Sequence, residues 1–222
     1  MTARITRITP SILNADFSRL DQEITRVSAV SDLIHLDIMD NIFVPNFTFD
    51  FDSAAKIIEN CPIPVDSHLM VIEPEKAAPR FAEMGSDSVT YHYEAAINHR
   101  QIIKDVHYLG SRVGIALKPG TAVSVLDEYL DSIDMILIMT VEPGFGGQSF
   151  MSDMLEKVRQ ARKRLGENDR GVWLQVDGGI SPSTIEGAAE AGADTFVAGS
   201  AVYKAEDPAK MVTLLRELAT QQ

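Results

Sequence analysis

The sequence predicts an α/β fold, a single (β/α)8 TIM barrel domain spanning residues 1–222. Three observations predict it. Eight short apolar segments occur along the chain, each is followed by a stretch with helical spacing, and no linker or charge block interrupts the series. Strict alternation of strand and helix requires parallel strands joined by right-handed crossovers. Eight such units in 222 residues leave no room for a long insertion, which suits a closed barrel. An open doubly wound sheet satisfies the same alternation and is the alternative architecture.

The elements follow in order. ITPSIL (8–13) is the first strand segment, and a helix follows with Phe17, Leu20, Ile24 and Val27 on one face and Asp16 and Ser18 as cap residues. LIHLDIM (33–39) precedes a helix carrying Ala54, Ile57 and Ile58, and PVDSHLMV (64–71) precedes one carrying Phe81 and Met84. SVTYHYEA (88–95) leads to Ile102, Ile103 and Val106, and VGIALKP (113–119) leads to Val125, Leu126 and Tyr129. MILIMTVE (135–142), VWLQVDGG (172–179) and TFVAGSAV (195–202) complete the strands. Their helices carry Met154, Leu155 and Val158, then Ile185, Ala188 and Ala189, then Met211, Leu214 and Leu215. The strand segments are continuous runs rich in Ile, Val, Leu and Met, as strands buried on both faces must be. Gly85, Gly110 and Gly192 stand where left-handed C-caps would end three helices.

Composition narrows the partners. The net charge is −12 with a pI of about 4.8, and no run of Lys or Arg occurs. A nucleic-acid or anionic-membrane partner would leave a basic patch, so neither is expected. The acidic balance repels an anionic ligand at long range, and local donors would have to capture one. Cys61 is the only cysteine and lies between Asn60 and Pro62, where a helix ends. It is expected to be a partly buried spectator, and the lack of a pairing partner fits a reducing compartment. MTARITRITPSIL lacks the apolar core of a signal peptide. No apolar run approaches the ~20 residues of a membrane span, so the expected location is cytoplasmic.

In a (β/α)8 barrel the functional residues stand at the C-terminal ends of the strands. Side chains alternate along a strand, which puts His35, Asp37 and Met39 on one face, Asp66, His68 and Met70 on another, and Gln175 and Asp177 on a third. Unpaired burial of Asp37 and Asp177 would cost several kcal/mol. One divalent metal ion bound by His35, Asp37, His68 and Asp177 answers that need, and mixed imidazole and carboxylate ligands suit Zn, Fe, Mn or Co. A hydrogen-bonded polar layer without metal is the other reading of the same residues.

Phosphate signals come later in the chain. Gly144, Phe145, Gly146 and Gly147 follow the sixth strand, Gly178 and Gly179 follow Asp177, and Gly199 and Ser200 end the eighth. Glycine-rich loops let backbone amides approach an anion, and the loops after strands 7 and 8 do so in many barrels. Tight turns alone also demand glycine. Met39, Met70 and Met139 lie near strand ends, either as core filling or as substrate wall. His99 and His107 are expected to be solvated on the fourth helix, whereas His92 and Glu94 share a face behind the site. Lys118 is the only plausible strand-end lysine, and Pro119-Gly120 puts it at a turn.

TPSILNADF, HLDIMDNIFVPNFTF, DSHLMV, MTVEPGFGGQSF, VDGGI and VAGSAVY together resemble the ribulose-phosphate 3-epimerase family over essentially the whole chain. The resemblance implies a ribulose-phosphate-binding barrel that interconverts D-ribulose 5-phosphate and D-xylulose 5-phosphate through an ene-diolate. It implies His35, Asp37, His68 and Asp177 as metal ligands, with Asp37 and Asp177 doubling as paired acid and base. Ser11 and His68 become substrate contacts, and Gly144, Phe145, Gly146, Gly147, Gly178, Gly179, Gly199 and Ser200 become the sugar-phosphate cradle. Met39, Met70 and Met139 become apolar lining. Homo-oligomers are common in the family. Asn41 departs from its usual Gly after the Met-Asp pair, and Asn is the residue best able to take the same left-handed torsions. An epimerase of a related ketose phosphate such as D-allulose 6-phosphate is the runner-up, and a non-catalytic sugar-phosphate-binding barrel is the rival from another class.

Overall fold

The computed structural model describes residues 5–166 and 171–221. Strand and helix alternate as β1 (Arg7–Pro10), α1 (Leu20–Ser28), β2 (Ile34–Met39), α2 (Phe51–Asn60), β3 (Val65–Met70), α3 (Pro74–Glu83), β4 (Ser88–His92) and α4 (His99–Tyr108). The second half runs β5 (Arg112–Leu117), β6 (Met135–Met139), α5 (Met154–Leu165), β7 (Trp173–Asp177), α6 (Ile185–Glu190), β8 (Thr195–Ala198), α7 (Ser200–Tyr203) and α8 (Pro208–Thr220). The strands form one parallel sheet in the order β1-β8-β7-β6-β5-β4-β3-β2. An isolated parallel bridge between Ser11 and His35 joins its two edges into a nearly closed barrel.

Local chemistry places the helix ends. Asp50, Asn98 and Asp207 accept hydrogen bonds from Ser53, Gln101 and Lys210 amides to cap α2, α4 and α8. Pro74 and Pro208 stand in the first turns of α3 and α8, where no amide hydrogen is needed. Asn41 has φ 61°, the left-handed torsion its position was expected to require. The main apolar core lies between the sheet and the helices, with Leu36, Ile38, Leu69, Ile136, Val176 and Phe196 packed against Ile24, Ile58, Phe81, Ile102, Val158 and Leu215. Arg216 of α8 ties the β1–β2 seam by donating to the Thr6 and Val30 carbonyls and pairing with Asp32, whose carboxylate also accepts from the Ile8 amide.

Four expectations need correction. No α-helix forms between β5 and β6. Val123–Leu126 is a 3-10 turn, and Val125, Asp127, Tyr129 and Ser132 each bond three residues back. Pro119-Gly120 consumes the start of this stretch, and Val123-Ser124-Val125 has poor helical propensity. Second, strands 1, 4 and 8 stop at Pro10, His92 and Ala198, because Ile12–Asn14, Tyr93–Ala95 and Ser200–Tyr203 turn into short helical segments. Third, Phe17 lies in a 3-10 turn before α1, largely exposed and packed on Phe49 at 5.0 Å. Fourth, His99 is buried, stacked on Tyr93 at 4.5 Å and bonded to the Tyr91 hydroxyl, so that aromatic neighbours replace water. His107 is exposed as expected and pairs with Asp134.

Candidate active site

Alternation along β2, β3 and β7 decides which side chains enter the barrel. Leu36, Ile38, Leu69 and Val176 point to the helix layer, and His35, Asp37, His68 and Asp177 point the other way. The register sets His35 opposite Asp66, Asp37 opposite His68 and Met39 opposite Met70, while Met139 stands opposite Asp177. One potential ligand atom from each of His35, Asp37, His68 and Asp177 lies within 4.8 Å of the others. The first three are buried, and the Asp177 side chain keeps 17% exposure.

His35, Asp37 and His68 are held by hydrogen bonds. His35 Nδ1 bonds Asp66 Oδ2 at 2.8 Å, and Asp66 also accepts from Ser88 and Gln175. Ser11 donates to Asp37 Oδ2 at 2.6 Å across the β1–β2 seam. His68 Nδ1 meets Asp37 Oδ1 at 3.1 Å, and its Nε2 lies 2.9 Å from His92 Nε2. These partners fix ring orientation and leave His35 Nε2 buried with no hydrogen-bond partner among the described residues.

That orphaned nitrogen tests the metal reading. His35 Nε2 lies 3.4 Å from Asp37 Oδ1 and 3.9 Å from Asp177 Oδ2, and His68 Nδ1 lies 3.1 and 3.7 Å from the same two oxygens. Ligand bonds of about 2.1 Å put neighbouring atoms of a tetrahedral set roughly 3.4 Å apart. With small shifts of these side chains, the cluster could hold a divalent metal ion.

Burial disfavours charge on both carboxylates, yet they diverge. His35 and His68 outweigh burial at Asp37 and hold it well below the usual carboxylate range. Burial, reinforced by Asp37, pushes Asp177 up to about 6. Burial opposes a charged His35 ring, but Asp37 and Asp66 prevail and raise its pKa well above the ordinary value.

Asp37 and Asp177 open into a pocket at the C-terminal ends of the strands. Ser11, Met39, Met70, Met139, Gly144, Phe145, Gly146, Gly147, Gly178, Gly179, Gly199 and Ser200 all line it. The structure therefore gathers the predicted set, except that His35 and His68 reach the pocket only through the two carboxylates. Gly179 has φ 68°, and a Cβ there would lie 2.5 Å from the Phe150 amide nitrogen, so a side chain is excluded. Sequence reasoning missed Asn14, whose side chain occupies the space a Cβ at Gly146 or Gly199 would need. It sits in a 3-10 turn, where strand alternation gives no signal. The support role of Asp66 and Gln175 was also unassigned, although each shares a strand face with a candidate ligand. Lys118 is at a turn, with its ammonium 3.8 Å from the Phe43 ring centre and outside the pocket lining.

Comparison with known proteins agrees with this geometry. The structure is similar to that of KGPDC from Streptococcus mutans, with a TM-score of 0.73, 14% identity and coverage of 98% and 99% of the two chains. A 3-hexulose-6-phosphate synthase from Salmonella typhimurium gives 0.72 at 19% identity, covering 97% of this chain and 99% of that one. At those identities the likeness concerns the fold. Sequence likeness goes further. A ribulose-phosphate 3-epimerase from Mycobacterium leprae (strain TN) is 46% identical over 96% of this chain and 94% of its own length. One from Escherichia coli (strain K12) is 41% identical over 96% of both. The profile of the Ribulose-phosphate 3 epimerase family matches residues 7–203. With its barrel, its pocket and this match over most of its length, the chain belongs to the ribulose-phosphate 3-epimerase family.

Proposed function

We propose that the protein inverts C3 of a ketose phosphate, interconverting D-ribulose 5-phosphate and D-xylulose 5-phosphate, with Asp37 and Asp177 as paired base and acid. The observation that carries this reading is two carboxylates from β2 and β7 that meet in one pocket, one held below and the other pushed above the usual carboxylate range. One carboxylate takes the C3 proton, which the adjacent C2 carbonyl acidifies, and the other returns a proton to the opposite face of the planar ene-diolate. Ser11, donating to Asp37, holds that carboxylate in place. Met39, Met70 and Met139 exclude water around the reacting carbon. His35, Asp37, His68 and Asp177 would hold one divalent ion, Zn, Fe, Mn or Co. Such an ion, when bound, supplies Lewis-acid stabilisation for the charge developing on the substrate oxygens.

The test is a direct assay with two substrates that differ by one carbon. D-ribulose 5-phosphate should give the higher kcat/KM, and D-allulose 6-phosphate the lower. A reversed preference would reassign the substrate, and binding of either without turnover would favour a non-catalytic barrel.

Gly144 to Gly147, Gly178, Gly179, Gly199 and Ser200 form the phosphate grip in this reading. Remote binding energy then positions C3, so unphosphorylated D-ribulose should lose kcat as well as affinity. Equal kcat/KM for ribulose and its 5-phosphate would show that these glycines serve only as turns.

Ion binding should also be pH-dependent. His35 must surrender the proton that Asp37 and Asp66 favour before Nε2 can act as a ligand. A raised pKa means that the ring keeps its proton to higher pH than a free imidazole does, so affinity should rise with pH. Calorimetric titration with Zn²⁺ at pH 7, in two buffers of different ionisation enthalpy, should give unequal heats. Equal heats would mean that no proton leaves. The lone cysteine is consistent with a cytoplasmic setting, which completes the reading.

A further inference from the structure

We infer that Glu94 and His92 are positioning residues that fix the tautomer of His68, so that its Nδ1 lone pair faces the carboxylate cluster. This rests on the metal-binding reading of that cluster. His68 and His92 face each other through their Nε2 atoms at 2.9 Å, and both rings are fully buried. One proton fits between those nitrogens, so one ring donates and the other accepts. Two arrangements satisfy this contact. In the first, His68 carries its proton on Nε2, leaving Nδ1 free toward Asp37 and Asp177, and His92 carries its own on Nδ1. In the second, both protons move over, His68 Nδ1 is blocked by hydrogen, and His92 Nδ1 is a bare lone pair.

Glu94 distinguishes them. Its Oε2 lies 3.4 Å from His92 Nδ1, which has no hydrogen-bond partner among the described residues. A carboxylate attracts an N–H at that position and repels a lone pair. In the metal-free cluster Asp37 Oδ1, 3.1 Å from His68 Nδ1, attracts an N–H there in the same way. Once an ion takes the Nδ1 lone pair that pull is gone, and Glu94, acting through His92, favours the first arrangement. Glu94 is itself oriented, because Oε1 accepts from the Lys118 amide at 2.8 Å and from the Thr121 hydroxyl. Phe43 packs on the far side of this chain of rings, 4.9 Å from His92. The two candidate ligands are thus supported alike, His35 by Asp66 directly and His68 by Glu94 through a second imidazole.

The decisive variant is Glu94→Gln. Its amide oxygen can keep the bonds from Lys118 and Thr121, so the loop stays in place, while its NH2 group then faces His92 Nδ1. Two donors would oppose each other in the arrangement that frees His68. Co²⁺ affinity, followed by the absorption bands of the bound ion, should fall about 10- to 100-fold, with an unchanged Tm for the metal-free protein. In His92→Gln the side-chain oxygen can accept from His68 Nε2–H without help from Glu94, so adding Glu94→Gln to that variant should cost little further. The ¹⁵N spectrum of Zn²⁺-loaded wild type should show His92 protonated on Nδ1. Wild-type affinity in folded Glu94→Gln, an equal loss in both backgrounds, or His92 protonated on Nε2 would overturn the inference. Failure of the wild type to bind Co²⁺ would instead overturn the metal reading, and the inference with it.

Discussion

Asp177→Asn should lower epimerisation by about 100- to 10,000-fold, the range by which a positioned acid or base contributes, while proton exchange at C3 of one epimer should survive. Asn cannot titrate, so the face that Asp177 serves loses its proton carrier. Asp37 remains able to remove and return a proton on its own side. In D2O the wild-type enzyme should place solvent deuterium at C3 of the product, whereas the variant should label one epimer without inverting it. NMR of the C3 position reads both outcomes. Metal content is measured alongside, because Asn retains an oxygen near the cluster and must be shown not to have emptied it. A metal-loaded variant that epimerises near the wild-type rate would refute the role given to Asp177. Wild-type product that keeps the substrate's own C3 hydrogen would refute the two-base scheme.

Chelation has the second large effect. Prolonged treatment with a strong chelator should abolish turnover, and Zn²⁺, Fe²⁺, Mn²⁺ or Co²⁺ should restore it. The expectation follows from four potential ligand atoms within 4.8 Å of one another and from a buried His35 nitrogen with no hydrogen-bond partner among the described residues. Removing one ligand acts in the same direction. His68→Ala should lose metal content and turnover together, since it removes one of the four candidate ligand atoms and leaves Asp37 and Asp177 crowded. Full activity in protein shown by elemental analysis to be free of transition metals would end the metal reading and leave the hydrogen-bonded polar layer.

Much of this architecture was legible because its signals are periodic. Continuous apolar runs marked the parallel strands, and the alternation of His35, Leu36, Asp37 and Ile38 told which side chains enter the barrel. The conformation of Asn41 was equally accessible, since its torsions follow from residue type. The rest depended on backbone that leaves the regular pattern. Asn14 lies in a 3-10 turn, and Val123–Leu126 tightens where a helix was expected. His99 shows another limit. Its spacing from Ile102, Ile103 and Val106 puts it on the buried face of α4, so its polar character misled where its register did not, and Tyr91, Tyr93 and Tyr129 enclose the ring. The contact between His68 and His92 could not be read either, because neighbouring strands fix which residues lie side by side but not which ring nitrogens meet.

The seam between β1 and β2 has a consequence for how the protein is made. His35, Asp37 and His68 leave the ribosome well before Asp177, and β1 finds its neighbour β8 later still. Until β7 and β8 are threaded in, the three early ligands have no opposite wall, and Arg216 cannot yet lace Thr6, Val30 and Asp32 together. Such long-range pairings are slow to form. If the cluster holds an ion, the choice among competing ions therefore falls to the finished barrel rather than to the nascent chain.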